Sequence, residues 1–160
     1  MFYDDTKVYL KAGDGGDGCL SFLRQKYMPE GGPNGGNGGK GGDIILVADE
    51  NVSDLRAFHF KKHWKAKNGE PGRGSDQNGK RGNFCLLKLP LGTEVRLEGT
   101  EIPFCEILTH GEEVSLLEGG KGGRGNATFK SSVNQTPRQT TEGKPGEEGN
   151  YVFTLKTIAD

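Results

Sequence analysis

The stretch Gly31-Gly32-Pro33-Asn34-Gly35-Gly36-Asn37-Gly38-Gly39-Lys40-Gly41-Gly42 decides the fold, because glycine recurs in it every third residue. A polyproline II helix has three residues per turn, so glycines with this period lie along one edge of such a helix. The first edge comprises Gly32, Gly35, Gly38 and Gly41, and the second comprises Gly36, Gly39 and Gly42. Helices with two bare edges can stack backbone against backbone, and we therefore predict packed polyproline II-like helices here.

The same period returns in distant parts of the chain, which argues against a flexible linker. Glycine is costly to order, so one isolated stretch would be typical of low-complexity sequence. Collagen is a poor alternative, because its repeat needs a long register rich in proline and the chain has only 7 Pro among 160 residues. We predict structural roles for the glycines of the first edge and of a later stretch: Gly32, Gly35, Gly38, Gly41, Gly119, Gly122 and Gly125.

Length and composition limit the possible classes of protein. A chain of 160 residues is expected to form a single domain over 1–160, and a hydrophobic content of 31% predicts a small core. The net charge of −1 excludes a globally basic nucleic-acid binder, so any such contact must be local. Cys19, Cys85 and Cys105 are too scattered for a disulfide framework or a zinc site. Without a signal peptide or an apolar run of membrane length, we expect a cytoplasmic protein without a membrane partner.

The sequence between the glycine stretches has the alternation of β-strands. Phe84–Leu89 and Thr93–Leu97, joined by a Pro-x-Gly turn, predict a hairpin, and the apolar run in Asp43–Asp49 predicts a strand covered on both faces. Further strands are predicted at Thr6–Ala12, Ile102–Leu108, Glu113–Leu117 and Tyr151–Ile158. Leu55–Lys65 is expected to be a short helix or a plug built from Phe58, Phe60 and Trp64. The predicted fold is mainly β: a glycine-rich annex of polyproline II-like helices packed on a small β-barrel or jelly-roll body.

No motif in the chain predicts catalysis or metal binding. Gly13–Gly18 matches G-x-G-x-x-G, but the helix and acidic residue that a dinucleotide site needs do not follow. Gly74–Lys80 begins like a P-loop, yet Arg81 stands where a hydroxyl must bind Mg²⁺. The three histidines, in the absence of clustered carboxylates, predict packed or surface side chains. The chain is therefore not expected to be an enzyme by itself.

Basic residues in segments without strand pattern are the candidate binding residues. If these segments project from one end of the body, they form a basic surface suited to phosphate contacts. The candidates for RNA or ribosome binding are Arg24, Lys26, Arg73, Lys80, Arg81, Lys130 and Arg138. Ordinary solvated charges are the alternative interpretation.

Several motifs together resemble those of one known family. They are Gly13-Asp14-Gly15-Gly16-x-Gly18, Lys26-Tyr27-x-Pro29-x-Gly31-Gly32-Pro33, Gly41-Gly42-Asp43, Gly79-Lys80-Arg81-Gly82, Pro90-x-Gly92-Thr93, Gly119-Gly120-Lys121-Gly122-Gly123-x-Gly125-Asn126 and Gly143-Lys144-Pro145-Gly146. In this order they resemble the N-terminal domain of the Obg GTPases, also called CgtA, over essentially all 160 residues. The resemblance implies the same fold, and it implies that a GTPase domain holding GTP or GDP and Mg²⁺ follows residue 160. This domain itself is expected to need no cofactor and no metal.

The resemblance also implies a function. Members of the family bind the large ribosomal subunit in its assembly and in stress or translation control, and their N-terminal domain directs basic loops at the peptidyl-transferase region. By position, Arg24 and Lys26 correspond to the first loop, Lys80 and Arg81 to the second, and Lys130 and Arg138 to the third. The expected partners are rRNA, ribosomal proteins and the chain's own GTPase domain, with the domain itself monomeric.

This sequence departs from the family pattern at three loop positions. Leu23 and Gln135 stand where arginine is common, and Ser75 stands where the second loop often has a basic residue, which Arg73 is a candidate to replace. Two other classes of function stay open. One is a regulatory or protein-interaction module of the GTPase without RNA contact. The other is a nucleotide-binding enzyme built on the Gly13 or Gly74 motif.

Overall fold

The computed structural model describes residues 2–23, 31–131 and 133–157, and Arg24 and Lys26 therefore lie outside the described residues. The strands are β1 (Phe2–Lys11), β2 (Ile44–Ala48), β3 (His63–Lys65), β4 (Cys85–Leu89), β5 (Thr93–Leu97), β6 (Cys105–Ile107), β7 (Glu113–Leu117) and β8 (Glu148–Thr157). The helices are α1 (Arg56–Phe60) and a short 3₁₀ helix, Asn126–Phe129. Neither helix is long and apolar enough to span a membrane.

The β body consists of two open mixed sheets. One has the strand order β3-β1-β8-β5-β6, and the other has the order β4-β2-β7. Buried side chains of both sheets form one hydrophobic cluster, in which Leu10, Leu46 and Phe153 are fully buried. The prediction of a mainly β fold is confirmed, with two packed sheets in place of a closed barrel.

Strand β2 differs from its prediction. Ile44, Leu46 and Ala48 are buried, while Ile45 and Val47 are only half-buried, so the strand has one core face. The apolar run reflects its central place in its sheet: β4 pairs with it in parallel and β7 pairs with it antiparallel.

The predicted hairpin between Phe84 and Leu97 is wrong. Strand β4 pairs in parallel with β2, whereas β5 pairs antiparallel with β8 and β6 in the other sheet. The turn at Pro90–Gly92 carries the chain from one sheet to the other, with Gly92 at a φ of 88° and its N–H bonded to the carbonyl of Ile107. Alternating apolar and polar residues on both sides of a turn occur in hairpins, and they occur equally where the chain passes from one sheet to another.

The aromatic residues around α1 have different roles. The ring of Phe58 is 2% exposed and packs edge-on against Phe153 at 5.1 Å between ring centroids. The ring centroid of Trp64, in β3, lies 5.3 Å from that of Phe58. Phe60, in contrast, is 89% exposed, so its predicted part in the plug is wrong. Residues two positions apart point to nearly opposite sides of a helix, so Phe58 and Phe60 cannot both face the core.

The annex is built from six extended segments of described residues that hydrogen-bond to one another. They are segment A (13–18), segment B (35–42), segment C (67–72), segment D (78–83), segment E (119–125) and segment F (141–146). Segments A, C and E begin after β1, β3 and β7 and run away from the body, while B, D and F return into β2, β4 and β8. Three out-and-back excursions therefore form the annex.

The bonds between segments repeat with the period of the glycines. Segment A donates to carbonyls of segment B through the N–H groups of Gly13 at 2.8 Å and Gly16 at 2.9 Å. Cys19, the next residue after segment A, continues the series at 3.0 Å. Segment A also bonds to C, E and F, and segment B also bonds to C, D and E. A polyproline II helix has no internal hydrogen bonds, so each segment depends on its neighbours for backbone pairing.

The two glycine edges of segment B face two different neighbours. A Cβ added at Gly38 or Gly41 would lie 1.8 or 2.0 Å from a carbonyl oxygen of segment A. A Cβ at Gly39 or Gly42 would lie 2.1 or 2.0 Å from a carbonyl oxygen of segment D. Glycine is required on both edges, because the backbones touch.

The other glycines assigned structural roles fall into the same pattern, with one exception. A Cβ at Gly119, Gly122 or Gly125 would lie 1.8, 1.8 or 2.1 Å from a carbonyl oxygen of segment B, and one at Gly35 would lie 1.9 Å from the carbonyl oxygen of Cys19. At Gly32 the nearest atom to an added Cβ, among the described residues, is the Nζ of Lys130, at 3.7 Å. Gly32 shares the sequence period but precedes segment B.

Aspartates of the annex accept bonds from the backbone. Asp14, Asp17 and Asp43 accept N–H groups of Gly146, Gly143 and Gly119 at 2.9, 2.8 and 2.7 Å. These carboxylates thus satisfy N–H groups that have no backbone acceptor among the described residues.

Asp14 should make the stability of the annex depend on pH. Its pKa lies below the ordinary value because its carboxylate accepts a bond from the Lys11 ammonium at 2.7 Å and the N–H of Gly146. A lowered pKa stabilises the fold above the unfolded pKa, and that contribution is lost as the pH falls through the folded pKa. With the side chain 43% exposed, screening limits the effect to about 1 kcal/mol or less.

We expect Asp14→Asn to unfold at a lower temperature than the parent chain at neutral pH, and the gap to narrow below about pH 4. Thermal unfolding across a pH series measures this. Asp54→Asn, at an exposed carboxylate of the β body, is the control. A gap that stays constant into acid would contradict the assigned role of Asp14.

Candidate nucleic-acid interface

The far end of the annex gathers the connections of all three excursions. The first connection joins segments A and B, the second joins C and D, and the third joins E and F. They share one end because the outward segments start at the β body and the return segments lead back to it. We call the described residues of these connections, 19–23, 31–34, 73–77, 126–131 and 133–140, the tip.

Asn126 holds the first and third connections together. Its side chain is fully buried, and its Oδ1 accepts the N–H groups of Gly35 at 2.9 Å and Ser21 at 3.2 Å. Its Nδ2 donates to the carbonyls of Ser21 at 2.8 Å and Pro137 at 3.1 Å. The Asn126 side chain therefore fixes the backbone at Ser21 and Pro137, the residues that precede Phe22 and Arg138. This role could not be predicted from the sequence, since a single Asn after a glycine repeat has no signal of burial.

The second connection is a tight turn with unusual backbone angles. Ser75 and Asp76 have φ values of 60° and 56°, which glycine adopts more readily than other residues. The N–H of Gln77 donates to the carbonyl of Gly74 at 3.3 Å, and that of Asp76 donates to the carbonyl of Asn34 at 2.7 Å. The turn is thereby attached to the first connection.

Three of the candidate basic residues lie at the tip. Arg73 is exposed and lies 3.5 Å from the carboxylate of Glu70. Arg138 lies over the ring of Phe22, with its guanidinium carbon 5.4 Å from the ring centroid. Lys130 is exposed and follows the 3₁₀ helix. The structure thus brings basic residues of the second and third connections to one end.

Lys80 and Arg81 lie elsewhere on the annex. Both are exposed and belong to segment D, in which the carbonyl of Lys80 accepts the N–H of Glu70 at 2.9 Å. They occupy the side of the annex, nearer the body than the turn at Ser75. Their predicted part in RNA binding stays a prediction, and the structure places them in segment D, after the short turn of the second excursion.

A further group of cations was missed by sequence reasoning. Lys121, Arg124 and Lys144, with Phe129, line a cleft of about 300 Å³ beside segments E and F. None of these cations makes an ion pair with another described residue. The signal was available, since Lys121 and Arg124 occupy the only non-glycine positions of a glycine repeat and must project outward.

Charge is distributed unevenly along the chain. Residues 119–146 contain five basic residues and one acidic residue, whereas residues 84–118, mostly in the body, contain two basic and seven acidic residues. A net charge near zero thus conceals a basic end and an acidic end. A polyanion would be attracted to the annex and repelled from this part of the body.

The histidines and cysteines, all of which the structure describes, lie in separate places and form no common site. His59 lies 2.8 Å from a carboxylate oxygen of Asp4, His110 accepts the N–H of Glu50 at 3.0 Å, and His63 packs on Tyr9. The cysteines are free, and burial raises the pKa of the Cys85 and Cys105 thiols. Among the described residues no group of three or more possible ligands could hold a metal ion.

Comparison with known proteins gives consistent relatives. The GTP1/OBG family model matches residues 3–157. The chain is 49% identical over 160 residues to a GTPase Obg of Opitutus terrae. This match covers all of this chain and 46% of the relative. It is 48% identical over 159 residues to a GTPase Obg of Persephonella marina, covering 99% of this chain and 47% of the relative. The chain thus spans about half the length of the curated relatives that it matches.

Proposed function

Because the chain belongs to the GTP1/OBG family, we propose that it is the ribosome-binding domain of an Obg-type GTPase and that its tip contacts rRNA of the large subunit. GTP hydrolysis, with its GTP and Mg²⁺, then belongs to a GTPase domain outside these residues. The proposed role lies in assembly of the large subunit and in translation control, which would place the protein in the cytoplasm.

The arrangement of the three connections carries this proposal. Arg73, Lys130 and Arg138 come from excursions far apart in sequence, yet all lie at the end of the annex opposite the β body. Guanidinium and ammonium groups bind phosphate oxygens, and such contacts fix the orientation of a protein on a nucleic acid. The acidic part of the body would face away from the RNA.

The construction of the annex supports the same role. Each segment is bonded to at least two others, so the annex acts as a rigid support that holds the tip in a fixed position. A preorganised surface loses less entropy on binding than a set of free loops. Exposed apolar side chains at the tip, Leu20 at 51% and Val133 at 95%, add surface that bases or ribosomal proteins can cover.

Binding to isolated large ribosomal subunits tests the proposal. We expect the triple variant Arg73→Ala/Lys130→Ala/Arg138→Ala to lose about tenfold or more in affinity at physiological salt. The slope of log affinity against log salt should flatten by about 2, because each of the three lost phosphate contacts contributes about 0.7 to the slope. Affinity is measured by fluorescence anisotropy of the labelled chain over a salt series.

The control removes the same charge from the β body, as Lys7→Ala/Arg56→Ala/Lys88→Ala. This variant should bind almost as the parent chain does. Equal losses of affinity in the two triple variants would mean a diffuse attraction to a polyanion and would contradict the proposed interface. Wild-type affinity in the tip triple would do the same.

One observation favours a regulatory module that contacts protein instead of RNA. Ile102 is 82% exposed and Phe104 is 59% exposed, and with Leu97 they line an apolar groove of about 640 Å³ on the body. Under this alternative, Ile102→Ser/Phe104→Ser would weaken attachment to large subunits more than the tip triple. The proposed function predicts the reverse order.

A further inference from the structure

A pocket of about 490 Å³ opens at the tip where the three connections meet. The first connection contributes Phe22 and Asn34, the second contributes Ser75, and the third contributes Arg138. Ligand pockets for molecules of nucleotide size occupy about 300–1,000 Å³, so the volume suits a nucleotide and exceeds the need of a bare phosphate.

One polar group beside the pocket has no hydrogen-bond partner among the described residues. Asn34 lines the pocket and is 7% exposed, and its side-chain Oδ1 is the buried atom concerned. Buried polar atoms are nearly always paired, and an unpaired acceptor therefore needs an explanation. An N–H or amino group of a ligand would satisfy this oxygen once the Asn34 side chain turns it toward the pocket.

Strain at the rim of the pocket is a second, independent observation. Ser75 lines the pocket at a φ of 60°, a conformation that a glycine at this position would adopt without cost. Residues whose backbone is held in such conformations cluster at binding sites. The hydroxyl of Ser75 can donate and accept hydrogen bonds at the rim.

The remaining chemistry favours an anion with a planar group. Arg138 is the only charged side chain among the described residues that line the pocket. Its guanidinium lies over the ring of Phe22. Aromatic rings and guanidinium planes are the surfaces on which unstacked RNA bases stack, and guanidinium also binds phosphate.

We propose that this pocket binds one unstacked nucleotide of RNA. The base packs against the Phe22 and Arg138 pair and donates a hydrogen bond to Oδ1 of Asn34, and the phosphate meets the guanidinium of Arg138. The proposal rests on the proposed function, because the nucleotide is part of the RNA that the tip contacts. A free mononucleotide has the same chemistry, and the experiment separates the two sources.

The first arm titrates the isotope-labelled chain with AMP, CMP, GMP and UMP and follows backbone amide shifts by NMR. We expect saturable shifts at Phe22, Asn34 and Ser75, and at least fivefold weaker binding of ribose 5-phosphate, which lacks a base. Phe22→Leu should weaken nucleotide binding by about 5- to 150-fold, the range of one lost base stack.

Matched variants separate the pocket from a general attraction between nucleotides and basic side chains. Arg138→Ala should weaken nucleotide binding by the same order as Phe22→Leu. Lys88→Ala, which removes an exposed charge from the β body, should leave it unchanged. Equal effects of Arg138→Ala and Lys88→Ala, or an absence of saturable shifts at the pocket, would overturn the proposal. The proposed function could still pass its own salt test.

The second arm compares an RNA hairpin that carries one bulged nucleotide with the same hairpin made abasic at the bulge. We expect the bulged RNA to bind at least about fivefold more tightly, and Phe22→Leu to remove this preference. Binding of mononucleotides without any preference for the bulge would make the ligand a free nucleotide and overturn the RNA source. Failure of the chain to bind large subunits, with both arms positive, would instead contradict only the proposed ribosomal partner.

Discussion

Replacing Gly38 by alanine should lower the free energy of unfolding by about 3 kcal/mol, the upper end of the usual cost of overpacking. The new Cβ would lie 1.8 Å from the carbonyl oxygen of Gly16 and 2.2 Å from its carbon. Both atoms are backbone, so no side chain can rotate away and segments A and B must separate. At about 2–4 °C per kcal/mol, the melting temperature should fall by about 6–12 °C.

Gly32→Ala is the matched control, because it lies in the same glycine stretch with the same spacing. Of the atoms in the described part of the chain, its Cβ would meet only the Nζ of Lys130, at an ordinary contact distance of 3.7 Å. Replacing glycine where the conformation allows it stabilises a protein by about 0.4–1 kcal/mol through the unfolded state. Gly32→Ala should therefore be neutral or slightly stabilising. Equal melting temperatures for the two variants would show that segments A and B do not pack as described.

The glycine period predicted the annex well because it is a local property of the chain. Three residues per turn place Gly35, Gly38 and Gly41 on one edge, and that edge faces backbone in the structure. The identity of the neighbour could not be predicted, since every glycine segment offers the same bare edge. Pairing A with B, and B with D, is decided by where strands β1, β2 and β4 enter and leave the body.

The errors in the body also concern contacts between distant parts of the chain. Strand β4 has the alternation of a hairpin strand, but its partner is β2, some forty residues earlier. Phe60 is as apolar as Phe58, and only the direction of one helical turn leaves the first exposed and the second buried. Composition contains no information on either choice.

The candidate site was predictable in part. Basic residues in glycine-rich segments identified Arg73, Lys130 and Arg138, which lie at the tip, because charged residues without a strand pattern must project from the fold. The place of Lys80 in segment D, after the turn, could not be predicted, since a polyproline II segment and a loop look alike in sequence. The pocket and the role of Asn126 depend on three connections meeting, which no local pattern reveals.

Asn126→Asp should be among the most damaging single changes at the tip. The substitution keeps the shape and both acceptor bonds, but an oxygen replaces Nδ2 opposite the carbonyls of Ser21 and Pro137, which lie 2.8 and 3.1 Å away. The carbonyl of Pro137 loses its donor, the carbonyl of Ser21 keeps the N–H of Asn34 at 2.9 Å, and both face a buried charge. With about 1–3 kcal/mol for the unsatisfied carbonyl and more for the charge, we expect a loss of about 3 kcal/mol or more at neutral pH.

Asn134→Asp is the control, since it adds the same charge to an exposed position of the same connection and should cost about 0.5 kcal/mol or less. Burial favours the neutral form of an introduced carboxyl and raises its pKa, so the deficit of Asn126→Asp should shrink in acid, where a protonated carboxyl can again donate. Unfolding measured at neutral and acidic pH tests both parts. Similar stability of the two variants would mean that Asn126 does not join the connections. A deficit independent of pH would place its cost in packing rather than in the lost donor.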